Sequence, residues 1–181
     1  MRALVDVDGT LWSLYDILLP ILHEKYGAPL ELPKVWDFYK AYMTDSQFYK
    51  CVDQAHDEQW YSEPFVGAPE LFDLLRRYNV EVIVASHRNP KFNSDLAEWL
   101  ARYRMQPVSG IYTGYDKKFL IRECQIVIDD SPLTIAYAQS LDIKTLAIRW
   151  PANSHTTAIL FGDLPEMNRW LEVELQGDDN A

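Results

Sequence analysis

The chain has little positive charge and almost no cysteine. Its 181 residues include 17 Lys and Arg against 27 Asp and Glu, which gives a formal net charge of −10. So acidic a chain is poorly matched to a nucleic-acid backbone or an anionic membrane, and we do not expect polymeric nucleic acid as its main partner. Two cysteines, Cys51 and Cys124, form no metal-binding spacing. Buried free thiols in a reducing cytosol are the simplest expectation for them.

Long apolar runs are also missing. No stretch reaches the length of about 20 residues that a membrane-spanning helix needs, and the first apolar segment follows Met1 with no secretory leader ahead of it. We therefore expect a cytoplasmic protein with no membrane partner. The length favours one domain with a small insertion, and a homodimer is left open.

Two apolar segments end in paired carboxylates. Residues 3–5 lead into Asp6-Val7-Asp8-Gly9-Thr10, and residues 125–128 lead into Asp129-Asp130-Ser131-Pro132. An Asp-Gly pair after a strand is most often an ordinary turn, which is the simpler interpretation of the first segment alone. The second segment favours another interpretation, because neighbouring parallel strands end at the same edge of a sheet, where ligands bind.

The four aspartates Asp6, Asp8, Asp129 and Asp130 are therefore expected to lie close together. Four such carboxylates would repel one another, and some would have to protonate unless a cation joined them. A small number of oxygen ligands, with room left for phosphate and water, suits Mg²⁺. The sequence thus predicts a magnesium site.

Most of the chain alternates between strand and helix patterns. Strands are predicted at residues 2–7, 80–85, 111–112, 126–128 and 144–148, and helices at residues 68–78, 93–103, 116–123, 132–140 and 164–175. Such alternation predicts an α/β fold with a Rossmann-like parallel sheet flanked by helices.

One long segment, residues 12–64, has no convincing strand. We predict three helices in it, at residues 13–27, 33–43 and 46–59, and expect Pro20 to kink or split the first. The segment holds 11 of the chain's 24 aromatic residues. The predicted organisation is an α/β core of residues 1–11 and 65–175, a small helical insertion after the first strand at 12–64, and a disordered acidic tail at 176–181.

Other polar residues follow the predicted strands. Ser86 could hydrogen-bond a phosphate, although a lone serine there is more often a cap or turn residue. Lys117 could supply the positive charge that a phosphate site built from carboxylates needs, although a pair of lysines such as Lys117-Lys118 is usually solvated surface. His87 and Arg88, directly after Ser86, are further candidates for contacting a phosphate. Of the four histidines only His87 is predicted near the site, and none has metal-ligand spacing.

Taken in order, Asp6-Val7-Asp8-Gly9-Thr10, Ser86, Lys117 and Asp129-Asp130 resemble the four motifs of the haloacid dehalogenase-like (HAD) phosphohydrolases. The resemblance spans residues 2 to about 155. A looser likeness to the 5′(3′)-deoxyribonucleotidase branch depends on segments at residues 64–68, 116–117, 128–132 and 149–153. Ser86-His87-Arg88 departs from that branch, in which Ser or Thr is often followed by Pro or Ala.

The resemblance implies a phosphomonoester hydrolase with the following roles. Asp6 is the nucleophile that forms an aspartyl-phosphate, and Asp8 is the general acid and base. Ser86 and Lys117 hold the phosphoryl oxygens. The other phosphate-binding candidates are Gly9, Thr10, His87 and Arg88.

The resemblance also implies how the cofactor and the insertion act. Mg²⁺ is held by Asp6, the backbone carbonyl of Asp8, and Asp129, with Asp130 bound directly or through water. Residues 12–64 form a cap over the site.

The implied partner is a small phosphorylated substrate, a nucleoside monophosphate by the finer likeness. Two alternatives within the same chemistry are another small phosphate ester and the 3′-phosphate end of a nucleic acid. A non-catalytic phosphate-binding protein is a third. It is disfavoured because Asp8 is needed only for turnover.

Overall fold

A parallel sheet of six strands runs through the part of the chain that the computed structural model describes, residues 1–107 and 109–178. The strands are β1 (Arg2–Val5), β2 (Glu81–Ser86), β3 (Gly110–Thr113), β4 (Ile126–Ile128), β5 (Lys144–Ile148) and β6 (Ile159–Phe161). Their order is β3-β2-β1-β4-β5-β6, and every neighbouring pair is parallel. The predicted α/β class is confirmed.

Helices lie between the strands and cover the sheet. They are α1 (Leu14–Tyr26), α2 (Asp45–Glu58), α3 (Ala68–Arg77), α4 (Asn93–Arg102), α5 (Lys118–Ile121), α6 (Pro132–Gln139) and α7 (Leu164–Asp178). Within β1, Ala3 and Val5 pack on the face covered by α3, α4 and α7, whereas Leu4 points to the face of α5 and α6. Both faces of β1 are therefore buried from water, which explains why its sequence is almost uniformly apolar.

Residues 12–64, called here the helical insertion, contain a second hydrophobic cluster. It joins α1 to α2 and includes Leu18, Leu22 and Cys51. The predicted helix at residues 33–43 is wrong: this region forms only a short 3₁₀ turn, Phe38–Ala41. The reason is that Val35 and the four aromatic residues of this segment have weak helix propensity.

Helix α1 is continuous through Pro20, so of the predicted kink or split the split is wrong. Pro20 lies on the exposed side of the helix, where water can satisfy the carbonyl that loses its hydrogen-bond donor.

One further strand and several boundaries also differ from the predictions. Strand β1 ends at Val5 rather than at residue 7, and β6 was not predicted, because a three-residue apolar run carries no clear periodicity. Helix α7 continues to Asp178, so the first residues of the expected tail are helical. Residues 179–181 lie outside the described part of the chain. Among the described residues, no helix is both long and apolar enough to cross a bilayer.

Asn153 fastens the loop after β5 to the loop after β4. Its side chain is fully buried, and Nδ2 donates to the carbonyls of Ile148 at 2.9 Å and Asp130 at 3.1 Å, while Oδ1 accepts from the Trp150 amide at 2.8 Å. We expect Asn153→Ala to lower the free energy of unfolding by about 2–3 kcal/mol, because it leaves buried backbone groups unpaired.

Urea unfolding measures this loss. Ser154→Ala, which removes one exposed hydrogen bond to the Pro151 carbonyl, is the control and should change stability by less than about 0.5 kcal/mol. Equal losses in the two variants would show that Asn153 does not fasten these loops.

Candidate active site

The site lies where the strand order reverses. After β1 the chain builds β2 and β3 on one side, then returns to place β4 on the other side of β1. The carboxyl ends of β1 and β4 therefore open a crevice, the usual ligand position in such sheets. Asp6 and Asp8 follow β1, and Asp129 and Asp130 follow β4.

Lys117 joins the two acidic strand ends. Its Nζ lies 2.5 Å from Asp6 Oδ1 and 2.6 Å from Asp129 Oδ2, and all three side chains are buried. Burial alone would lower the pKa of Lys117, but Asp129 and Asp6 outweigh it and raise that pKa, so the lysine is charged. Burial raises the pKa of Asp6 to about 8, although Lys117 opposes the shift.

Asp130 completes a three-carboxylate cluster. Burial raises the pKa of its carboxyl well above the usual value, and the charges of Asp6 and Asp129 raise it further. Asp6, Asp129 and Asp130 each offer an oxygen atom within 4.8 Å of the others. Buried carboxylates that resist ionisation are relieved by a cation, and their hard oxygens suit Mg²⁺. The residues present therefore fit the predicted metal.

Asp8 differs from the other three aspartates. Its Oδ1 accepts from Arg88 Nη2 at 2.7 Å and Trp12 Nε1 at 2.9 Å. Its Oδ2 accepts from Ser86 Oγ at 2.7 Å and lies 3.2 Å from His56 Nε2. Burial would raise the pKa of Asp8, but Arg88 and His56 outweigh it and hold that pKa well below its usual range. The four aspartates line one cavity as expected, but the side chain of Asp8 is bound by Arg88, Ser86 and Trp12 and stands outside the three-carboxylate cluster.

Arg88 does not take the position predicted for it, in contact with a phosphate in the cavity. Its side chain is 1% exposed, and besides Asp8 it donates through Nε to Ser86 Oγ at 2.7 Å and through Nη1 to Gln59 Oε1 at 2.5 Å. An unpaired buried guanidinium would be strongly destabilising, and the carboxylate of Asp8, 14% exposed, pairs with it. In this structure Arg88 is a partner of Asp8 and does not line the cavity.

The prediction that His87 is the only histidine near the site is wrong. His56, on α2, is buried against Asp8, and Gln59, just after α2, is buried against Arg88. No local sequence signal marks these two residues, since His56 reaches Asp8 and Gln59 reaches Arg88 only because α2 folds over the strand ends. His87 lies on the cavity wall, where its ring stacks on Tyr49.

A cavity of about 290 Å³ connects these groups. Its polar walls include the four aspartates, Lys117, Gly9 and His87, and its apolar wall includes four of the insertion's aromatic residues, Tyr15, Trp36, Phe48 and Tyr49. Ser86 and Thr10 are fully buried beside it, and the Ser86 hydroxyl is occupied by Asp8 and Arg88. Phosphate contacts by Ser86 and Thr10 stay predictions.

No protein-family model and no curated protein matches the chain. Solved structures do. A haloacid dehalogenase-like family hydrolase from Streptococcus pneumoniae aligns with a TM-score of 0.63 and 16% identity, covering 94% of this chain and 97% of that one. The chain has the HAD-like fold.

Two further HAD-like structures align over most of both chains. A HAD family hydrolase from Deinococcus radiodurans, with bound phosphate and sodium, gives a TM-score of 0.61 and 17% identity, covering 96% of each chain. A protein described as a predicted phosphoglycolate phosphatase from Haemophilus somnus gives 0.63 and 14%, covering 94% of this chain and 97% of that one. Likeness at these identities establishes the fold alone.

Gly9 leaves the space that Asp130 occupies. Its φ is +77°, and a Cβ atom there would lie 2.1 Å from Asp130 Oδ2. We expect Gly9→Ala to displace Asp130 and abolish stabilisation by Mg²⁺. Gly27→Ala is the matched control: φ is +67°, nothing lies within 4 Å, and backbone strain of about 1 kcal/mol is its only penalty. Thermal unfolding with and without Mg²⁺ measures the stabilisation of each variant by the metal. A normal rise in Tm with Mg²⁺ in Gly9→Ala would show that Gly9 is not needed to make room for Asp130.

Asp130 should make stability depend on pH. Because its folded-state pKa is raised, the folded chain binds more protons than the unfolded chain, and this group's contribution falls as pH rises above its unfolded pKa. In chelator, Asp130→Asn should therefore raise the Tm at pH 8 but hardly at pH 4. Asp57→Asn, an exposed site on α2, should change the Tm equally at both values. A greater rise in Tm at pH 4 than at pH 8 for Asp130→Asn would refute the raised pKa of Asp130.

Proposed function

We propose that this chain is a magnesium-dependent phosphomonoester hydrolase that works through an aspartyl-phosphate on Asp6. The observation that carries the proposal is Lys117, bound between Asp6 and Asp129 on the wall of a cavity. A carboxylate with a fixed cation can approach an anionic phosphate that would otherwise repel it. The neighbouring HAD-like structures, described as hydrolases or phosphatases, support the same chemistry.

The two first-motif aspartates have different tasks. An oxygen of Asp6 attacks phosphorus, the bond from phosphorus to the leaving oxygen breaks, and Asp8 gives that oxygen a proton. Asp8 then takes a proton from the water that attacks phosphorus, and Asp6 is released. Lys117 neutralises Asp6 and binds a phosphoryl oxygen. The resemblance of Asp6-Val7-Asp8-Gly9-Thr10 to the first motif of the HAD phosphohydrolases supports this division.

The metal would be held by the oxygen ligands that the sequence predicts. Asp6, the backbone carbonyl of Asp8, and Asp129 would bind it, with Asp130 bound directly or through water. When bound, Mg²⁺ supplies positive charge that offsets the repulsion between the nucleophile and the phosphate. Asp6 gains from this, since its ionised form is disfavoured by burial.

The helical insertion acts as a cap that excludes water and selects the leaving group. Its aromatic wall favours a nucleoside monophosphate, whose base could stack there. The second candidate is a smaller phosphate ester, favoured by the volume of about 290 Å³, just under the roughly 300–1,000 Å³ typical of ligand pockets.

Asparagine substitutions separate the two aspartates. Asp6→Asn should abolish turnover of an aryl phosphate, because an amide is a poor nucleophile. Asp8→Asn should still release one equivalent of 4-nitrophenolate rapidly and then stall, because no base activates the water. Stopped-flow absorbance measures both, and near-normal turnover by Asp6→Asn would exclude it as the nucleophile.

The nucleobase should contribute to catalysis if the substrate is a nucleotide. Binding energy from the base would close the cap and align the phosphate. We expect kcat/KM for a deoxynucleoside monophosphate to exceed that for deoxyribose 5-phosphate by at least tenfold, which corresponds to about 1.4 kcal/mol. Similar values would reject the nucleotide and leave the phosphatase proposal intact.

A further inference from the structure

A second groove lies along α1, on a different face of the helix from the cavity beside Asp6. Leu14 and Leu18 line that cavity, whereas Asp16 and Pro20 line the groove, as expected for positions on different faces of one helix. The groove, called here the outer groove, has a volume of about 490 Å³. None of the residues assigned to catalysis or to the metal lines it.

Aromatic rings form one part of the outer groove. The centroid of the Trp150 ring lies 6.1 Å from that of Phe65 and 6.3 Å from that of Tyr15, and all three side chains line the groove. Leu30 and Leu32 line it as well, and they are 57% and 40% exposed. Apolar side chains that surround a concave surface and remain in water indicate a place where another molecule binds.

Asp16 gives the outer groove its charge. Its carboxylate has no cationic partner among the residues that the structure describes. Because Pro20 has no N–H, the Asp16 carbonyl also lacks the hydrogen bond that residue 20 of the helix would otherwise donate. Asp16 therefore supplies two acceptors, one of them charged, at the edge of an aromatic surface.

These features together indicate one class of ligand. An ammonium group carries three donors and a positive charge, which match the carboxylate and the carbonyl of Asp16. An apolar body attached to it would pack on Leu30 and Leu32, and aromatic rings such as that of Trp150 attract cations. An anionic ligand would meet a like charge, since the described residues that line the groove include no Lys, Arg or His.

We propose that the outer groove is a second binding site, whose ligand is an organic cation with a flat apolar body and a protonated amine. The site lies close to the loop that carries Asp8, because the Trp150 indole N–H donates to the Gly9 carbonyl at 2.8 Å. It includes none of the reacting groups proposed above, so its test does not depend on the proposed function.

NMR signals of indole N–H groups locate the ligand. Trp150 lines the outer groove and Trp36 lines the cavity beside Asp6, so their signals report on two different places. The protein with Mg²⁺ is titrated with tryptamine, and the variants Trp150→Phe and Trp36→Phe assign the two signals. We expect the Trp150 signal to shift and to saturate at a lower tryptamine concentration than any shift of the Trp36 signal.

Two ligands of similar shape test the role of charge. Indole-3-propionate carries a carboxylate in place of the ammonium group, and tryptophol carries a neutral hydroxyl. We expect tryptamine to bind about tenfold more tightly than indole-3-propionate, with tryptophol between them, because repulsion by Asp16 replaces attraction. Asp16→Asn should remove this preference, whereas Asp57→Asn, an exposed site on α2, should keep it.

Two exposed leucines test the position of the site. Leu30→Lys puts a positive charge in the outer groove, and Leu133→Lys puts one at the cavity beside Asp6; the leucines are 57% and 71% exposed. We expect Leu30→Lys to weaken tryptamine binding about tenfold, whereas Leu133→Lys should change it by less than about twofold. Thermal unfolding without ligand checks that each variant folds.

No saturable shift of the Trp150 signal, equal binding of the three ligands, or a loss of binding confined to Leu133→Lys would overturn the second site. Light scattering tests the other possible occupant, a second copy of this chain. A dimer that Leu30→Lys converts to a monomer would show that the second copy covers the groove, and it would overturn the proposal too. The proposed hydrolase would stand after any of these results.

Discussion

The need of buried carboxylates for cations organises this site. Four aspartates lie at the ends of β1 and β4, and each is almost fully surrounded by protein. Lys117 satisfies Asp6 and Asp129, and Arg88 satisfies Asp8, although the chain as a whole carries a net charge of −10. Asp130 remains with a raised pKa beside two other acids. A divalent cation would complete the balance at this point.

The same constraint divides the site into two parts. Asp6 lies with Lys117 in the cluster that fits a metal, where its pKa is raised to about 8. Asp8, two residues later, lies in a separate network with Arg88 and His56, where its pKa is depressed. One short turn at Gly9 thus places two chemically different carboxylates beside one cavity.

The sequence predicted what depends on local pattern and missed what depends on tertiary contact. Alternation of strands and helices predicted the parallel sheet, and the acidic strand ends predicted that Asp6 and Asp129 would meet. The role of Arg88 could not be read from its neighbours, because its partner Gln59 lies 29 residues away in the insertion. His56 was missed for the same reason. The weak helix propensity of residues 33–43, in contrast, was a local signal that was misjudged.

The central claim is that Asp6 carries the phosphoryl group, and chemical trapping tests it most directly. The protein is mixed with 4-nitrophenyl phosphate and Mg²⁺, quenched within the first turnover, and reduced with borohydride, which converts an aspartyl-phosphate to homoserine. Mass spectrometry of the peptide spanning residues 3–25 then locates the change. The account predicts homoserine at position 6 and unmodified aspartate at position 8. Conversion at another residue, or rapid turnover with no conversion, would contradict it.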